Sequence, residues 1–434
     1  MAKWIKIAGG AVVLAAIGAG GWAWTSLNTS RSGVADDSVA LADFTSDDAE
    51  AVARGEYVMR MGDCAACHTR GQGDFAGGYE IPTPFGTLVS SNITPDRDTG
   101  IGGMTERDFF DALRQGIGQH GFLYPAMPYT AYAKLTDGDM HDLWAYMSTV
   151  APVSNDIDEN GGMAFPYNIR LAMAGWDMLF FSNSGFEPEA GESEAWNRGK
   201  YIVDGGGHCS ACHSPRNALG AEVAAAYLEG GSLGDWSAPD LTQNPHVGLG
   251  GSTAEDIAAY LRKGSDGVAV AAGPMAEAVE HSLQYLTEED ALAVGTYLVS
   301  LPASDTPAPE GADVASLPHA ALDYEVNCSA CHGLSGEGIT GMVPAFAGNK
   351  GLLGDPTNLI HAMLKGARAP HTHEVQTAAG MPSFAWKLSD ERIAELLDYV
   401  RNSWGNAAAA VPASSVAEMR ASLDAREPMA NPAQ

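Results

Sequence analysis

All six cysteines of the sequence fall into three copies of one pattern: Cys64-Ala-Ala-Cys67-His68, Cys209-Ser-Ala-Cys212-His213 and Cys328-Ser-Ala-Cys331-His332. On a helical turn, positions i and i+3 share a face. Both thiols of a copy can therefore add to the two vinyl groups of one haem, while the adjacent histidine turns a ring nitrogen to the iron. A single copy could equally be half of a zinc site or a thiol–disulfide pair. Three copies that use every cysteine leave none for a disulfide framework. No regular second set of cysteines or close histidines completes a zinc site. The expected chemistry is three covalently attached haem c groups, held by Cys64, Cys67, Cys209, Cys212, Cys328 and Cys331, with His68, His213 and His332 each ligating one iron.

A thioether opposite the histidine raises the potential of a haem and suits it to carrying electrons. Met127 in Ala-Met-Pro-Tyr, Met275, and Met381 in Gly-Met-Pro-Ser-Phe follow their histidines at similar separations, and they are the expected sixth ligands. Met275 is the one methionine between His213 and the linker that begins near Pro302, but no proline follows it. His120, His281, His371 and His373 lie near these methionines and are the competing ligands. Met104, Met140, Met342 and Met363 are expected to fill core space. A ligating histidine donates its other ring nitrogen's proton to an acceptor that fixes the ring. Pro344 is the expected carbonyl for His332, with Pro84 and Pro239 as weaker counterparts.

Such sites need helices to frame them. Before each first cysteine runs a short helical pattern with a small residue and a tyrosine: Gly55 and Tyr57, Gly199 and Tyr201, Ala320 and Tyr324. Each unit ends on an amphipathic helix bearing an aliphatic residue and a tyrosine on one face, Leu143 with Tyr146, Val294 with Tyr297, Leu396 with Tyr399. A small residue on the first helix lets the last helix cross closely. Thr105 with Asp108 parallels Thr253 with Asp256, and the helices after them run to Gly116 and Gly264, which can take the left-handed conformation that stops a helix. The third unit has the shorter Leu364-Lys-Gly366. Arg114, Arg262 and Lys365 either pair with haem propionates or complement a helix dipole.

The chain of 434 residues, 45% hydrophobic, is too long for one ordinary core. Its 54 acidic and 24 basic residues give a net charge of -30, which argues against nucleic acid as a partner and either favours a basic protein or keeps a chain with 18% charged residues soluble. Lys3 and Lys6 precede an almost wholly apolar run from Ile7 to Trp24. A retained membrane anchor is preferred here to a cleaved signal, because Trp22 and Trp24 sit where an interfacial belt belongs. The lysines then stay in the cytoplasm, and the remainder lies on the periplasmic face of the cytoplasmic membrane. The expected organisation is mainly α: an anchor or signal helix over 1–30, haem units over 45–152, 194–301 and 318–405, an inter-domain segment over 153–193, a linker over 302–317 and a flexible tail over 406–434. The inter-domain segment is rich in Trp and Phe, and either packs between domains or docks a partner.

With these motifs in place, each unit resembles a class I cytochrome c domain, and the array resembles the three-haem cytochrome subunit of membrane-bound dehydrogenases. The likeness extends over about residues 45 to 405 and includes Thr83-Pro-Phe-Gly-Thr-Leu-Val-Ser-Ser-Asn-Ile-Thr94, Phe165-Pro-Tyr-Asn-Ile-Arg170 and Trp236-Ser-Ala-Pro-Asp-Leu-Thr242. The resemblance implies three tandem class I domains and a relay with no substrate chemistry of its own. It also implies a catalytic partner of quinoprotein, flavoprotein or molybdenum type, and ubiquinone or a basic cytochrome as acceptor. Two other functions compete: a haem enzyme with an open iron position, and a cytochrome subunit of a terminal oxidase. Carbon monoxide binding to a reduced haem discriminates the first of these.

Overall fold

The computed structural model describes residues 39–314 and 317–426, together with positions 18, 20, 21, 25 and 34. The expected anchor over 1–30 lies, apart from four of those positions, outside the described residues. Among the described residues no helix is long and apolar enough to cross a membrane. The structure is mainly helical, with short two-stranded hairpins. It divides into two compact units, Met1–Pro188 with Asp204–His208, and Glu189–Val203 with Cys209–Gln434.

In the first unit, α1 (Ala49–Met61) is started by Asp48, whose carboxylate accepts from the amides of Glu50 and Ala51. It leads into α2 (Cys64–His68), the first cysteine motif. The hairpin β1 (Glu80–Thr83) and β2 (Gly86–Val89) follows. Next comes α3 (Glu106–Gln115), which has a full Thr105/Asp108 capping box and stops at Gly116 with φ 65°. The domain closes on α4 (Asp137–Met147). Val58, Met59, Phe110, Met140, Leu143 and Trp144 form its buried interior. A Cβ on Gly55 would stand 1.8 Å from the carbonyl oxygen of Asp142 and 2.8 Å from the Tyr146 Cβ, so α1 and α4 cross with their backbones in contact. Arg54 pairs with Asp142 at 2.6 Å beside the crossing. The segment after α4 carries α5 (Ala172–Phe180).

In the second unit the same construction recurs. The helices are α6 (Glu194–Tyr201), α7 (Ser210–His213), α8 (Ala254–Lys263), α9 (Pro274–His281) and α10 (Glu288–Leu298). A Cβ on Gly199 would lie 1.9 Å from the Ala293 carbonyl oxygen, and Arg198 grips Asp290 through two bonds of 2.7 and 2.8 Å. Thr253 and Asp256 again form a capping box, and Gly264 again stops the helix at φ 78°. The third motif segment follows, with α11 (Pro318–Asn327), α12 (Ser329–His332), α13 (Thr357–Lys365) and α14 (Asp390–Arg401). There the ion pair runs from Arg392 on α14 to Asp323 on α11. Gly366 has a positive φ but an extended ψ of 177°, so it does not repeat the left-handed stop.

Segment 318–405 shares this unit with residues 194–203 and 209–301 because side chains join them directly. Asn358 exchanges hydrogen bonds of 2.8 and 2.7 Å with the backbone of Ser237. Trp236 stacks on His361 at 4.1 Å, and Arg368 pairs with Glu280 at 2.6 Å. The expected flexible tail over 406–434 instead contains α15 (Ala413–Arg426). Val416 and Leu423, seven residues apart and so on one helix face, are buried, and Arg420 between them bonds Asp390 at 2.7 Å and the carbonyls of Ala385 and Leu388. Val416, Leu423 and the half-buried Met419 make only a narrow apolar stripe among small and polar residues, and Arg420 adds its bonds to it. Met342, expected in the core, is 38% exposed; Met104, Met140 and Met363 are buried.

Candidate haem-binding sites

Each cysteine motif forms one helical turn. The amide of Thr69 donates to Ala65, that of His213 to Cys209 and that of His332 to Cys328, at 2.9 Å each. The turn brings each pair of cysteines and its histidine onto a common edge. No disulfide joins the six cysteines, and each residue as a whole is half-buried or exposed. Burial, with Asp63 and Cys67 adding to it, pushes the Cys64 thiol up to about 12, and burial with Asp323 and Cys331 pushes Cys328 up to about 11. A thiol–disulfide catalyst needs the opposite shift, a stabilised thiolate. Among the described residues no cluster of three or more His, Cys, Asp or Glu side chains is arranged to hold a metal ion. These donors fit a group that takes both thiols covalently, and they fit neither a zinc site nor a redox dithiol.

The three histidines are held alike. The Nδ1 of His68 lies 2.7 Å from the carbonyl oxygen of Ser91, that of His213 2.8 Å from Pro239, and that of His332 3.1 Å from Pro344. A carbonyl only accepts, so Nδ1 carries the proton and Nε2 keeps its lone pair for a metal. Desolvation lowers the pKa of all three rings, favouring the neutral form that ligates. His332 also stacks on Phe346 at 4.1 Å. Pro344 and Pro239 fill the expected acceptor role. Pro84 does not, and Ser91 takes its place. The signal for Ser91 was available: it precedes Asn92-Ile-Thr94 as Pro239 precedes Asp240-Leu-Thr242, and in both loops the buried side chain accepts from the threonine amide two residues on.

The methionines are half-buried. Met127 sits in the turn before the one-turn helix Tyr129–Tyr132, with its amide donating to Tyr124 and its carbonyl accepting from Tyr129. Met275 is the second residue of α9 and packs with buried Ala271, Ala276 and Val279. Met381 lies in a two-residue strand opposite Ala367, against the core of the third segment. His120, His281, His371 and His373 are all exposed. Arg114 is engaged by Asp137 at 2.6 Å and by the Leu135 carbonyl at 2.8 Å, and Arg262 lies 3.5 Å from Glu374.

Residues 321–404 match the family model described as cytochrome c, and residues 50–147 match that of cytochrome c oxidase, cbb3-type, subunit III. The chain is 40% identical over 406 residues to the gluconate 2-dehydrogenase cytochrome c subunit of Pantoea cypripedii, covering 88% of this chain and 92% of that protein. It is 40% identical over 405 residues to the fructose dehydrogenase cytochrome subunit of Gluconobacter japonicus, covering 85% and 82%. It is 38% identical over 408 residues to the cytochrome c subunit of a quinone alcohol dehydrogenase from Komagataeibacter europaeus, covering 88% and 86%.

Proposed function

The chain belongs to the cytochrome c subunits of membrane-bound dehydrogenases, and from that membership we propose that it is a three-haem electron relay between a catalytic subunit and a quinone or cytochrome acceptor. The observation that carries the count of three is the equivalent support of His68, His213 and His332, each with Nδ1 on a backbone carbonyl and each adjacent to a cysteine pair that forms no disulfide. Bound haem supplies a reversible one-electron iron couple. The chain would attach it through Cys64 and Cys67, Cys209 and Cys212, and Cys328 and Cys331, with the oriented imidazoles of His68, His213 and His332 and the thioethers of Met127, Met275 and Met381 as the groups that would ligate the irons. A thioether in that position leaves no open coordination site, which supports a relay over a haem enzyme. The likeness to an oxidase subunit spans only residues 50–147, whereas the dehydrogenase relatives align along nearly the whole chain.

The catalytic partner oxidises an alcohol, aldehyde or sugar acid with a quinoprotein, flavoprotein or molybdenum centre, and ubiquinone or a basic cytochrome takes the electrons. Lys3, Lys6 and the apolar run after them support retention at the periplasmic face of the cytoplasmic membrane. A redox titration tests the relay. Replacing Met127, Met275 or Met381 singly by leucine lowers one haem potential in each case and leaves two in place. An unchanged titration for any one of them rejects that ligand, and haem staining with fewer than three haems per chain rejects the count.

A further inference from the structure

Part of the inter-domain segment, residues 167–181, contacts the stretch that carries Met127. The Tyr124 hydroxyl donates to the Tyr167 carbonyl at 2.9 Å, and the Arg170 guanidinium lies over the Tyr124 ring at 5.3 Å while donating to the Phe122 carbonyl at 3.3 Å. Met173 and Ala174 pack on Phe122. Finally, the Tyr129 hydroxyl donates to Asp177 Oδ1 at 2.6 Å, and Phe181 closes on the Tyr129 ring edge-on at 5.3 Å. From Phe122 to Tyr129, residues on both sides of Met127 are thus held by residues 167–181.

Asp177 is the one charged residue of α5, and it points inward, 3% exposed, while Leu179 beside it is 71% exposed. Burying a carboxylate costs more than leaving it in water unless a partner requires it there. Its partner Tyr129 is fully buried, packs over Gly116 where any Cβ would come within 2.7 Å of the ring, and bonds the Met127 carbonyl through its own amide at 2.8 Å. We propose that Asp177, acting through Tyr129, is a positioning residue for the sixth ligand of the first haem, so that the inter-domain helix is a working part of that site. The inference rests on Met127 being that ligand.

The experiment uses the whole purified cytochrome in its haem-loaded form and measures carbon monoxide binding to the reduced protein, haem by haem. A slack methionine loop lets the gas compete for the iron. Tyr129→Phe and Asp177→Ala are expected to raise carbon monoxide binding at one haem about tenfold, the effect of losing one hydrogen bond. Asp177→Asn, whose amide oxygen still accepts from Tyr129, is expected to restore native behaviour, which general loosening of the fold does not predict. Met127→Ala serves as the reference for a fully open site. If Met127→Ala opens one haem and Tyr129→Phe and Asp177→Ala bind the gas as the native protein does, the positioning role is overturned while the ligand assignment stands. If Met127→Ala opens nothing, the ligand assignment falls and the positioning role with it.

Discussion

A histidine becomes a dependable iron ligand only when its second nitrogen is occupied, and here backbone carbonyls do this at Ser91, Pro239 and Pro344. Because the acceptor is main chain, the side chain above it is free to vary, which is why Ser91 was less legible than the two prolines. The buried carboxyl of Asp177 has its own consequence. Burial pushes it up to about 6, with the Tyr129 hydroxyl pulling the other way. A folded-state value above the unfolded one means that the folded protein holds this proton more tightly. The cost of ionising the group is absent below the ordinary carboxylate range and fully present above about pH 6. Denaturant unfolding of Asp177→Asn and native protein should therefore converge near pH 4. The variant should be more stable at pH 7, by about 3 kcal/mol at most and less to the extent that solvent screens the site. A difference that grows as the pH falls refutes this.

At the scale of elements, the first two haem units depend on glycines where the opening and closing helices cross. Gly55 and Gly199 could be read from the sequence as small residues opposite an aliphatic and a tyrosine, and the structure gives them a specific task, since their missing Cβ atoms would occupy the carbonyls of Asp142 and Ala293. The residue the sequence pattern offers in the third unit is Ala320, which is 1% exposed and already carries a Cβ. Gly199→Val should cost about 3 kcal/mol or more through forced separation of α6 and α10, whereas Ala320→Gly should cost about 1 kcal/mol. Thermal unfolding of the haem-loaded variants decides; equal effects at the two positions contradict the account. The ion pairs beside the crossings, Arg54–Asp142, Arg198–Asp290 and Arg392–Asp323, escaped the sequence because the third reverses which helix carries the arginine. The helix Ala413–Arg426 escaped because its apolar stripe is narrow, Val416, Met419 and Leu423, with Arg420 completing the contact.

At the scale of the molecule, the second and third motif segments are tied into one unit, in part through Glu280. The Arg368 guanidinium holds this carboxyl below the usual range, burial opposes it, and the His371 amide assists. A depressed value contributes stability above the unfolded carboxylate range, and that contribution is lost as the pH falls through the folded value. Glu280→Ala should therefore speed amide hydrogen exchange of residues 367–374 at pH 7, by about 1 kcal/mol of local stability given that Arg368 is largely exposed. The difference from native protein should vanish in acid; if it persists there, the pair is not the tether. What the sequence offered by itself was a chemical expectation: cysteine pairs with an adjacent histidine point to haem attachment and proximal ligation locally, within one helical turn, and a net charge of -30 disfavours nucleic acid. What only the tertiary structure decided was which distant groups complete each site. The carbonyl of Ser91, the Asp177–Tyr129 bond and the side chains joining segments 194–301 and 318–405 link residues far apart in the chain. Such contacts come from packing and hydrogen-bond satisfaction in the folded state and leave no periodic signal in the sequence.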